Sequence, residues 1–378
     1  MRQEELQRYN RQVILPDIGR DGQEKLRAAR VLCIGAGGLG SPAALYLAAA
    51  GVGTLGLLDD DAVDLSNLQR QILFSSGDAG QPKARAGQQR LQALNPLIRV
   101  NCHPIRLCAA NAEAILRDYD LVLDGSDNFA TKFLLNDCAV KLGMPLVYGS
   151  ILGFDGQMAV FWADEGPCYR CMLPQPPSGY VPNCAEAGVI GAVAGVIGCM
   201  QALEAIKLIV AGPDWRQRRL RPLVGKLCLL GTHHWQLTQI EIPKNPACPC
   251  CSLPRAQIRL HDEAVAACAL DPVHELSAAE VATLAAPQLL DVRSAEEFAR
   301  GHLEGALNQP LDRLGGEEPI DGLDPARDCV VYCQSGARSR RAIAELQRRG
   351  FSRLYNLQGG LALWNGALAG PVDGNHGG

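Results

Sequence analysis

The segment 30–59 constrains the fold more than any other part of this chain. Apolar runs at 30–35 and 54–58 predict buried strands, and the alanine-rich run 43–50 between them predicts a helix that Ser41-Pro42 begins. Asp59 follows the second strand, 19 residues after the last glycine of a Gly-x-Gly-x-x-Gly motif. The motif glycines are Gly35, Gly37 and Gly40. This order of elements is typical of a nucleotide-binding site: a strand, the glycine motif, a helix, a second strand and an acidic residue.

Later strands extend this pattern. Strand-like runs at 99–104, 121–124 and 146–150 alternate with helical segments, which predicts a mostly parallel α/β sheet. A second series contains predicted helices at 278–284, 295–300 and 339–349 and predicted strands at 289–292, 329–332 and 354–357. The expected parts are a first α/β domain at 1–252, a linker at 253–273, a smaller α/β domain at 274–370 and a flexible tail at 371–378.

Composition excludes several classes of protein. The 378 residues are 47% hydrophobic and 20% charged, as in ordinary globular chains, and the net charge of −4 argues against a general nucleic-acid binder. The start, Met1-Arg-Gln-Glu-Glu, has no apolar signal region, so a cytoplasmic protein is expected. The apolar stretch Ala187–Leu203, with 17 residues, is at the short limit for a membrane span and is predicted to be a buried core helix.

Polar residues after the strands indicate which nucleotide is bound. Asn67, Arg70 and Lys83 come after the second strand, and Asp127 and Asn128 after a later one. Ligands of open α/β sheets bind at these carboxyl ends, and two cations with a carboxylate suit a triphosphate with Mg²⁺. The glycine motif alone also fits NAD, so an NAD-dependent oxidoreductase is the rival hypothesis. Each of these residues alone would suggest a surface ion pair.

Fifteen cysteines in a long chain suggest reduced thiols with metal-binding or reactive roles. Cys168 and Cys171 form one C-x-x-C pair, and Cys248 and Cys251 form another about 80 residues later. Four thiolates can close a tetrahedral structural Zn²⁺ site, although a metal-free redox pair is the alternative. Cys250 could replace a ligand by a slip in register, but Cys248 with Cys251 preserves the two-residue gap.

The first 252 residues resemble the MoeB/ThiF family, relatives of the ubiquitin-activating enzymes. Five motifs occur in the family's order: Arg8-Tyr-Asn-Arg-Gln12, Gly35-Ala-Gly-Gly-Leu-Gly40, Asp64-Leu-Ser-Asn-Leu-Gln-Arg-Gln71, Gly80-Gln-Pro-Lys83 and Ser126-Asp-Asn128. The resemblance implies a Rossmann-like ATP-binding domain that adenylates the C-terminal glycine of a small ubiquitin-like sulfur carrier ending in Gly-Gly. It also favours Zn²⁺ at the two cysteine pairs.

The same resemblance implies roles for individual residues. Gly38 and Asp59 would hold the nucleotide, and Asp127 would serve Mg²⁺ and the phosphates. Arg11 would reach into the site of a partner subunit, so a homodimer is implied. Contacts to ribose or phosphates are implied for Ser66, Asn67, Arg70 and Lys83.

Two further cysteines stand outside these pairs. Cys184, in the segment Pro182–Gly188, is by itself best explained as a buried thiol, but the family resemblance implies a reactive cysteine in a mobile loop. Cys333 lies between a predicted strand and a predicted helix, in Cys333-Gln-Ser-Gly-Ala-Arg338. Backbone N–H groups, the positive helix end and Arg338 are expected to favour its thiolate.

Residues 274–370 resemble a rhodanese domain, which carries sulfur as a persulfide on its loop cysteine. The resemblance rests on Leu290-Asp-Val-Arg293, Glu296-Glu-Phe298, Gly301-His-Leu-Glu-Gly-Ala306 and Tyr355-Asn-Leu-Gln-Gly-Gly360. Four residues separate Cys333 from Arg338, one fewer than in the related phosphatases, which favours sulfane sulfur over phosphate. Asp291, Arg293 and His302 are expected to be structural.

Together these resemblances predict an adenylyltransferase with sulfurtransferase activity. Arg11, Arg70, Lys83 and Asp127 are expected to assist adenylation, Cys333 to deliver sulfur, and Cys184 to release the product. The upstream sulfur donor would be thiosulfate or a cysteine-desulfurase persulfide. The small subunit of molybdopterin synthase is the leading carrier, while thiamine, cysteine, tRNA-thiolation and siderophore carriers stay open.

Overall fold

The structure is a computed structural model and describes residues 1–177, 188–262, 273–314, 320 and 322–370. These residues divide into two compact units, one within 1–262 and one from 273 onward. The predicted tail at 371–378 and part of the predicted linker, 263–272, lie outside the described residues.

The first unit contains an eight-stranded sheet among its described residues. Its strands are β1 Arg30–Ile34, β2 Thr54–Leu58, β3 Arg99–His103, β4 Leu121–Asp124, β5 Leu146–Leu152, β6 Asp155–Phe161, β7 Lys226–Gly231 and β8 Gln236–Glu241. Its α-helices are α1 Gln3–Val13, α2 Gly19–Ala28, α3 Gly40–Ala50, α4 Lys83–Leu94, α5 Ala112–Leu116, α6 Phe129–Leu142, α7 Tyr169–Met172 and α8 Gly191–Ala211. Short 3₁₀ turns cover Leu65–Asn67, Ser76–Asp78, Gly212–Gln217 and Arg255–Gln257.

The strand order is β3-β2-β1-β4-β5-β6-β7-β8. The first five strands are parallel, and β5 to β8 are joined as antiparallel neighbours. The sequence predicted the parallel part, whereas the antiparallel extension was not predicted. Buried apolar residues fill both faces of the parallel strands because helices cover both faces.

Helix α8 is the predicted core helix. By length and composition it could cross a membrane, but more than half of its most apolar window is buried inside the protein. A Cβ atom at Gly198 would lie 2.4 Å from the carbonyl oxygen of Leu39, and one at Gly191 2.2 Å from that of Gln69. The helix therefore uses glycine to contact neighbouring backbone closely, as a packed core helix does.

The second unit holds a parallel five-stranded sheet in the order β11-β10-β12-β13-β9. Its strands are β9 His274–Leu276, β10 Gln288–Asp291, β11 Leu307–Asn308, β12 Cys329–Tyr332 and β13 Leu354–Leu357. Its α-helices are α9 Ala278–Val281, α10 Ala295–Arg300 and α11 Ala337–Arg348, and short 3₁₀ turns cover Leu311–Arg313 and Gly360–Leu363. The helix predicted at 278–284 ends three residues early, and α11 begins two residues before its predicted start.

Candidate active sites

The first candidate site lies where the strand order reverses. Strands β2 and β4 flank β1, with Ile34 paired to Leu58 on one side and to Asp124 on the other. The carboxyl ends of these parallel strands therefore share one edge. The chain passes from β1 to β2 on one side, and after β3 it crosses to β4 on the other side of β1. This reversal opens a crevice at the shared edge, which is the usual ligand site of such sheets.

The glycines of the loop after β1 differ in why a side chain is absent there. Gly35 has φ +80°, a conformation that other residues rarely adopt. A Cβ atom at Gly40 would lie 1.8 Å from the carbonyl oxygen of Gly35, so the start of α3 must pack against this loop without a side chain. At Gly38 the nearest atoms to such a Cβ are 3.3 Å away on Ala194 and 3.5 Å away on Arg70. Folding therefore demands glycine at 35 and 40, whereas at Gly38 a Cβ atom would meet only side-chain atoms and no backbone.

Ser41 differs from its expected role. Helix α3 begins at Gly40, so Ser41 lies within its first turn rather than capping it. The buried Ser41 hydroxyl donates a hydrogen bond to the carbonyl oxygen of Ala36 at 2.9 Å. The side chain thus fixes the glycine loop from inside.

Asp59 joins the end of β2 to the same loop. Its two carboxylate oxygens accept hydrogen bonds from the Ala36 N–H at 2.8 Å and the Asp61 N–H at 2.9 Å. Burial raises the pKa of Asp59, although the attraction of Lys83 and both N–H groups act to lower it. Each oxygen keeps a further lone pair, so this carboxylate can hold the loop and still accept a ribose hydroxyl.

The predicted cations lie on the segments after β2. The buried Lys83 ammonium is 2.8 Å from a carboxylate oxygen of the exposed Asp61. Arg70 has only a long contact, 3.5 Å, from its guanidinium to the carbonyl oxygen of Ser66. Asn67 accepts a hydrogen bond from the amide of Gln71 at 2.8 Å. Gln71, which was not predicted as a site residue, thereby orients the Asn67 side chain.

The loop after β4 completes this edge. Asp127 is exposed there, and the Asn128 side chain caps α6 by accepting a hydrogen bond from the Thr131 N–H at 2.9 Å. Below them lies a buried pair that the sequence analysis missed, Lys132 with Asp124 at 2.8 Å. Burial acts to lower the pKa of Lys132, but the attraction of Asp124, Tyr148 and Asp127 and the hydrogen bond to Asp124 together raise it. Lys132 also donates to the carbonyl oxygen of Ser126 at 2.9 Å, so the pair fixes the backbone that carries Asp127.

Arg11 lies away from this edge of the sheet in its own chain. It is exposed on α1, and the neighbouring Gln12 donates to the carbonyl oxygen of Ala50 at 3.0 Å. Ala50 ends α3, whereas the glycine loop lies at the other end of that helix. A helix of this length spans about 16 Å. Arg11 therefore lies far from the glycine loop of its own chain.

The two cysteine pairs meet in one cluster. The sulfur atoms of Cys168, Cys171, Cys248 and Cys251 all lie within 4.8 Å of one another. The Cys168–Cys248 and Cys171–Cys251 separations are 3.5 and 3.4 Å, too long for disulfides. Metal–sulfur bonds of about 2.3 Å in a tetrahedron place sulfur atoms about 3.8 Å apart, so the set fits a Zn²⁺ ion.

Neighbouring residues prepare this cluster. Cys250 is buried beside it but is not one of the four, which agrees with the predicted ligand set. A hydrogen bond from Cys250, followed by one from Cys248, lowers the pKa of Cys168 to about 5 against the effect of burial. Arg170, between the first two cysteines, forms a two-pronged ion pair with Asp137 on α6. The cluster is thereby attached to the main sheet.

The second candidate site surrounds Cys333, which is fully buried at the end of β12. Its sulfur accepts hydrogen bonds from the Gly336 N–H at 3.2 Å and from the Ser339 hydroxyl at 3.6 Å. Helix α11 begins at the next residue, Ala337, so its positive end faces the sulfur. A Cβ atom at Gly360 would lie 2.3 Å from the Cys333 carbonyl oxygen. The loop therefore encloses the Cys333 sulfur, which meets one backbone N–H and one hydroxyl donor.

The charge on Arg338 is used differently from the expectation. Its guanidinium forms a two-pronged ion pair with Glu297 on α10, at 2.7 and 2.8 Å. Arg338 holds the pKa of Glu297 at about 2. The positive charge expected beside Cys333 is thus shared with a carboxylate. Local spacing gives no signal for this pair, because 41 residues separate its members.

The residues expected to be structural in this unit make structural contacts. Arg293 and Asp291 form a buried ion pair at 2.7 Å, and Arg293 also donates to the carbonyl oxygen of Gly301. His302 stacks on Phe298 with ring centroids 3.7 Å apart. Cys184, the other predicted reactive thiol, lies outside the described residues.

Comparisons with known proteins cover both units of the chain. A family model described as "ThiF family" matches residues 9–250, and one described as "Rhodanese-like domain" matches 276–367. The chain is 41% identical over 378 residues to "Probable adenylyltransferase/sulfurtransferase MoeZ" of Mycobacterium tuberculosis, covering 96% of this chain and 93% of that protein. It is 49% identical over 265 residues to "Sulfur carrier protein adenylyltransferase" of Thermus thermophilus, covering 68% and 95%.

A more distant relative and a solved structure extend the comparison. "Adenylyltransferase and sulfurtransferase uba4" of Ogataea parapolymorpha is 37% identical over 374 residues, covering 95% of both chains. The solved structure "Crystal structure of E. coli MccB + ATP" superposes with a TM-score of 0.54 at 20% identity, over 62% of this chain and 70% of that one. This last similarity supports the fold of the first unit.

Proposed function

Because the chain belongs to the ThiF family and continues into a rhodanese-like domain, we propose that it adenylates the C-terminal glycine of a ubiquitin-like sulfur-carrier protein and then supplies that glycine with sulfur. The chain is an adenylyltransferase and sulfurtransferase. The observation that carries the proposal is the presence, in one chain, of a glycine loop at the reversal of strand order and of a buried thiol that accepts a hydrogen bond from the N–H before a helix.

In the first reaction the carrier carboxylate attacks the α-phosphate of ATP, and pyrophosphate leaves. In the proposal Arg70 and Lys83 stabilise the developing negative charge, and Asp59 orients the ribose. The contact of Asp59 with the glycine loop supports its role. Asp127 would hold Mg²⁺, which supplies charge neutralisation on the phosphates when bound. The exposed position of Asp127 beside the glycine loop fits this role.

A homodimer completes this site in the proposal. Arg11 is exposed and lies at the far end of α3 from its own glycine loop. Its family role is therefore best met across a subunit interface, where the Arg11 of each subunit reaches the phosphates bound by its partner. The four-cysteine cluster would hold a structural Zn²⁺ ion in each subunit.

In the second reaction the Cys333 persulfide attacks the adenylated carbonyl, and AMP leaves. The Cys184 thiolate then attacks the Sγ atom of Cys333 in this acyl persulfide. The S–S bond breaks, the thiocarboxylate leaves with both electrons of that bond, and a Cys184–Cys333 disulfide remains, which cellular thiols reduce. The N–H of Gly336 and the hydroxyl of Ser339 stabilise the anionic sulfur of Cys333. A cytoplasmic location suits these reactions, because they depend on free thiols and the cytosol keeps thiols reduced.

Separation of the two reactions tests the proposal. Cys333→Ala should abolish thiocarboxylate formation and leave ATP–pyrophosphate exchange intact. Asp127→Ala should abolish exchange and spare sulfur transfer from thiosulfate to cyanide. Cys329→Ala, at another buried thiol of the same strand, is the matched control and should affect neither reaction. Loss of exchange in Cys333→Ala would refute the division of labour.

The small subunit of molybdopterin synthase is the proposed carrier. Intact-mass measurement identifies the carrier, because the accepted protein gains the mass difference between sulfur and oxygen after incubation with ATP and a sulfur donor. Carriers for thiamine, cysteine, tRNA thiolation and siderophore pathways form the comparison set. Modification of one of these instead of the molybdopterin-synthase subunit would reassign the substrate.

A further inference from the structure

Helix α10 places a carboxylate against the Cys333 loop. Glu297 is on this helix, and both of its oxygens contact the guanidinium of Arg338, the residue that ends the loop. The Arg338 side chain is only 18% exposed and that of Glu297 30%, so water screens the pair incompletely. Glu297 is also held by its own helix, because its backbone N–H and carboxylate exchange hydrogen bonds with Ser294. The carboxylate is therefore a fixed part of the site.

The loop consequently offers little net positive charge to an incoming sulfur donor. Glu297 balances Arg338, and the next arginine of α11, Arg340, is paired with Glu275 at 2.6 Å. The start of α11 also attracts anions, because the Gly336 N–H points at the sulfur of Cys333. Such a partial charge suits one anionic sulfur better than a group with two charges.

The two kinds of donor differ in the charge they bring. With thiosulfate, the Cys333 thiolate attacks the sulfane sulfur, the S–S bond of thiosulfate breaks, and sulfite leaves with both electrons of that bond. Thiolate and dianion together carry three negative charges. With a protein persulfide, the thiolate attacks the outer sulfur and a single thiolate leaves, so the total is two negative charges.

We infer that Glu297 determines the sulfur donor: by neutralising Arg338 it disfavours thiosulfate and favours a persulfide carried on a cysteine. Glu297 acts through Arg338 and is a specificity-determining residue. The inference rests on the proposed role of Cys333 as the sulfur carrier. It assigns the upstream reaction to the class that generates persulfides on protein or free cysteine.

Glu297→Gln tests the inference, because glutamine keeps the length and the hydrogen-bonding groups that Ser294 requires while removing the charge. We expect kcat/KM for sulfur transfer from thiosulfate to cyanide to rise about tenfold, mainly through a lower KM, and the gain to shrink with added salt. The second change Arg338→Ala in the same chain should remove the gain. Glu296→Gln, at the exposed preceding carboxylate, is the matched control and should leave kcat/KM for thiosulfate unchanged.

A second arm uses a purified cysteine desulfurase with L-cysteine as the donor. Here Glu297→Gln should load Cys333 with sulfur at a rate within about twofold of the unsubstituted chain, measured as one added sulfur mass. Unchanged or lower thiosulfate activity in Glu297→Gln would overturn the inference, as would an equal gain with both donors. If the unsubstituted chain accepts sulfur from neither donor, the proposed sulfur-transfer function itself fails. If the unsubstituted chain is active and Glu297→Gln has the same activity, only the inference about Glu297 fails.

Discussion

Alanine at Gly38 and alanine at Gly40 should have opposite consequences, although only one residue lies between them. At Gly40 the new methyl group would meet the Gly35 carbonyl oxygen at 1.8 Å. An ordinary contact of this kind needs about 3.2 Å, so the backbone must move by about 1.4 Å at a place where α3 and the loop are fully packed. Overpacking of this severity exceeds the usual cost of about 1–3 kcal/mol, so we expect the free energy of unfolding to fall by about 3 kcal/mol or more.

At Gly38 the same methyl group meets only side-chain carbon atoms, at 3.3 Å and beyond, and the backbone lies outside the left-handed region. The free energy of unfolding should change by no more than about 1 kcal/mol, in either direction. A phosphate oxygen, however, must come within about 3 Å of the loop N–H groups, and the methyl group fills space toward Arg70 that it would use. We therefore expect ATP affinity to fall at least about tenfold, a loss of about 1.4 kcal/mol.

Urea unfolding and calorimetric titration with ATP measure these two quantities on the same samples. Gly38→Ala should unfold at nearly the original urea midpoint and bind ATP weakly, whereas Gly40→Ala should unfold at a lower midpoint. The reasoning is refuted if Gly38→Ala binds ATP normally, or if Gly40→Ala is as stable as the unsubstituted chain.

Three further predictions concern the metal, the dimer and acid stability. The chain should bind about one Zn²⁺ ion, which Cys251→Ser should lose and Cys250→Ser should keep by elemental analysis, and equal loss in both would refute the assigned ligand set. Arg11→Ala and Asp127→Ala chains should be inactive alone but recover about a quarter of the exchange activity when mixed and allowed to exchange subunits, since half of the dimers then hold one complete site. Absence of recovery despite subunit exchange would place Arg11 outside the partner's site. Because Arg338 lowers the pKa of Glu297 from 4.5 to about 2, their pairing stabilises the second unit above pH 4.5, and this contribution disappears as the pH falls toward 2. Glu297→Gln should flatten that part of the pH–stability curve followed by circular dichroism, and an unchanged acid limb would contradict the assignment.

The sequence was most informative where a local pattern has a local cause. Apolar runs and a glycine motif predicted β1, α3 and β2 to within a few residues, because strand burial and turn geometry depend on adjacent positions. Strand β8, by contrast, lies at the sheet edge with nearly all of its residues exposed. An edge strand of this kind has little apolar patterning, which explains why the antiparallel extension was not predicted.

The same distinction between local and long-range causes applies to the predicted sites. The cysteine spacing indicated four residues that the fold does bring together. The pairs Lys132–Asp124 and Glu297–Arg338 were missed because each depends on how a helix packs beside a strand or a loop. Opposite charges are common in any chain, and only the folded structure selects which of them meet. The proposed role of Arg11 would require a second chain, which one folded chain cannot supply.

The separation of the two cysteine pairs has a consequence for the unfolded chain. Cys168 and Cys248 are 80 residues apart, and a metal ion that joins them closes a loop of that length. In a chain-entropy treatment such a closure restricts the unfolded state by about 4.5 kcal/mol. A metal ion, unlike a disulfide, can also dissociate when the chain unfolds, and its contribution then follows mass action: while the proposed site is saturated, each tenfold drop in free Zn²⁺ would remove about 1.4 kcal/mol of stability. The fraction of folded enzyme would then report the zinc supply of the cell.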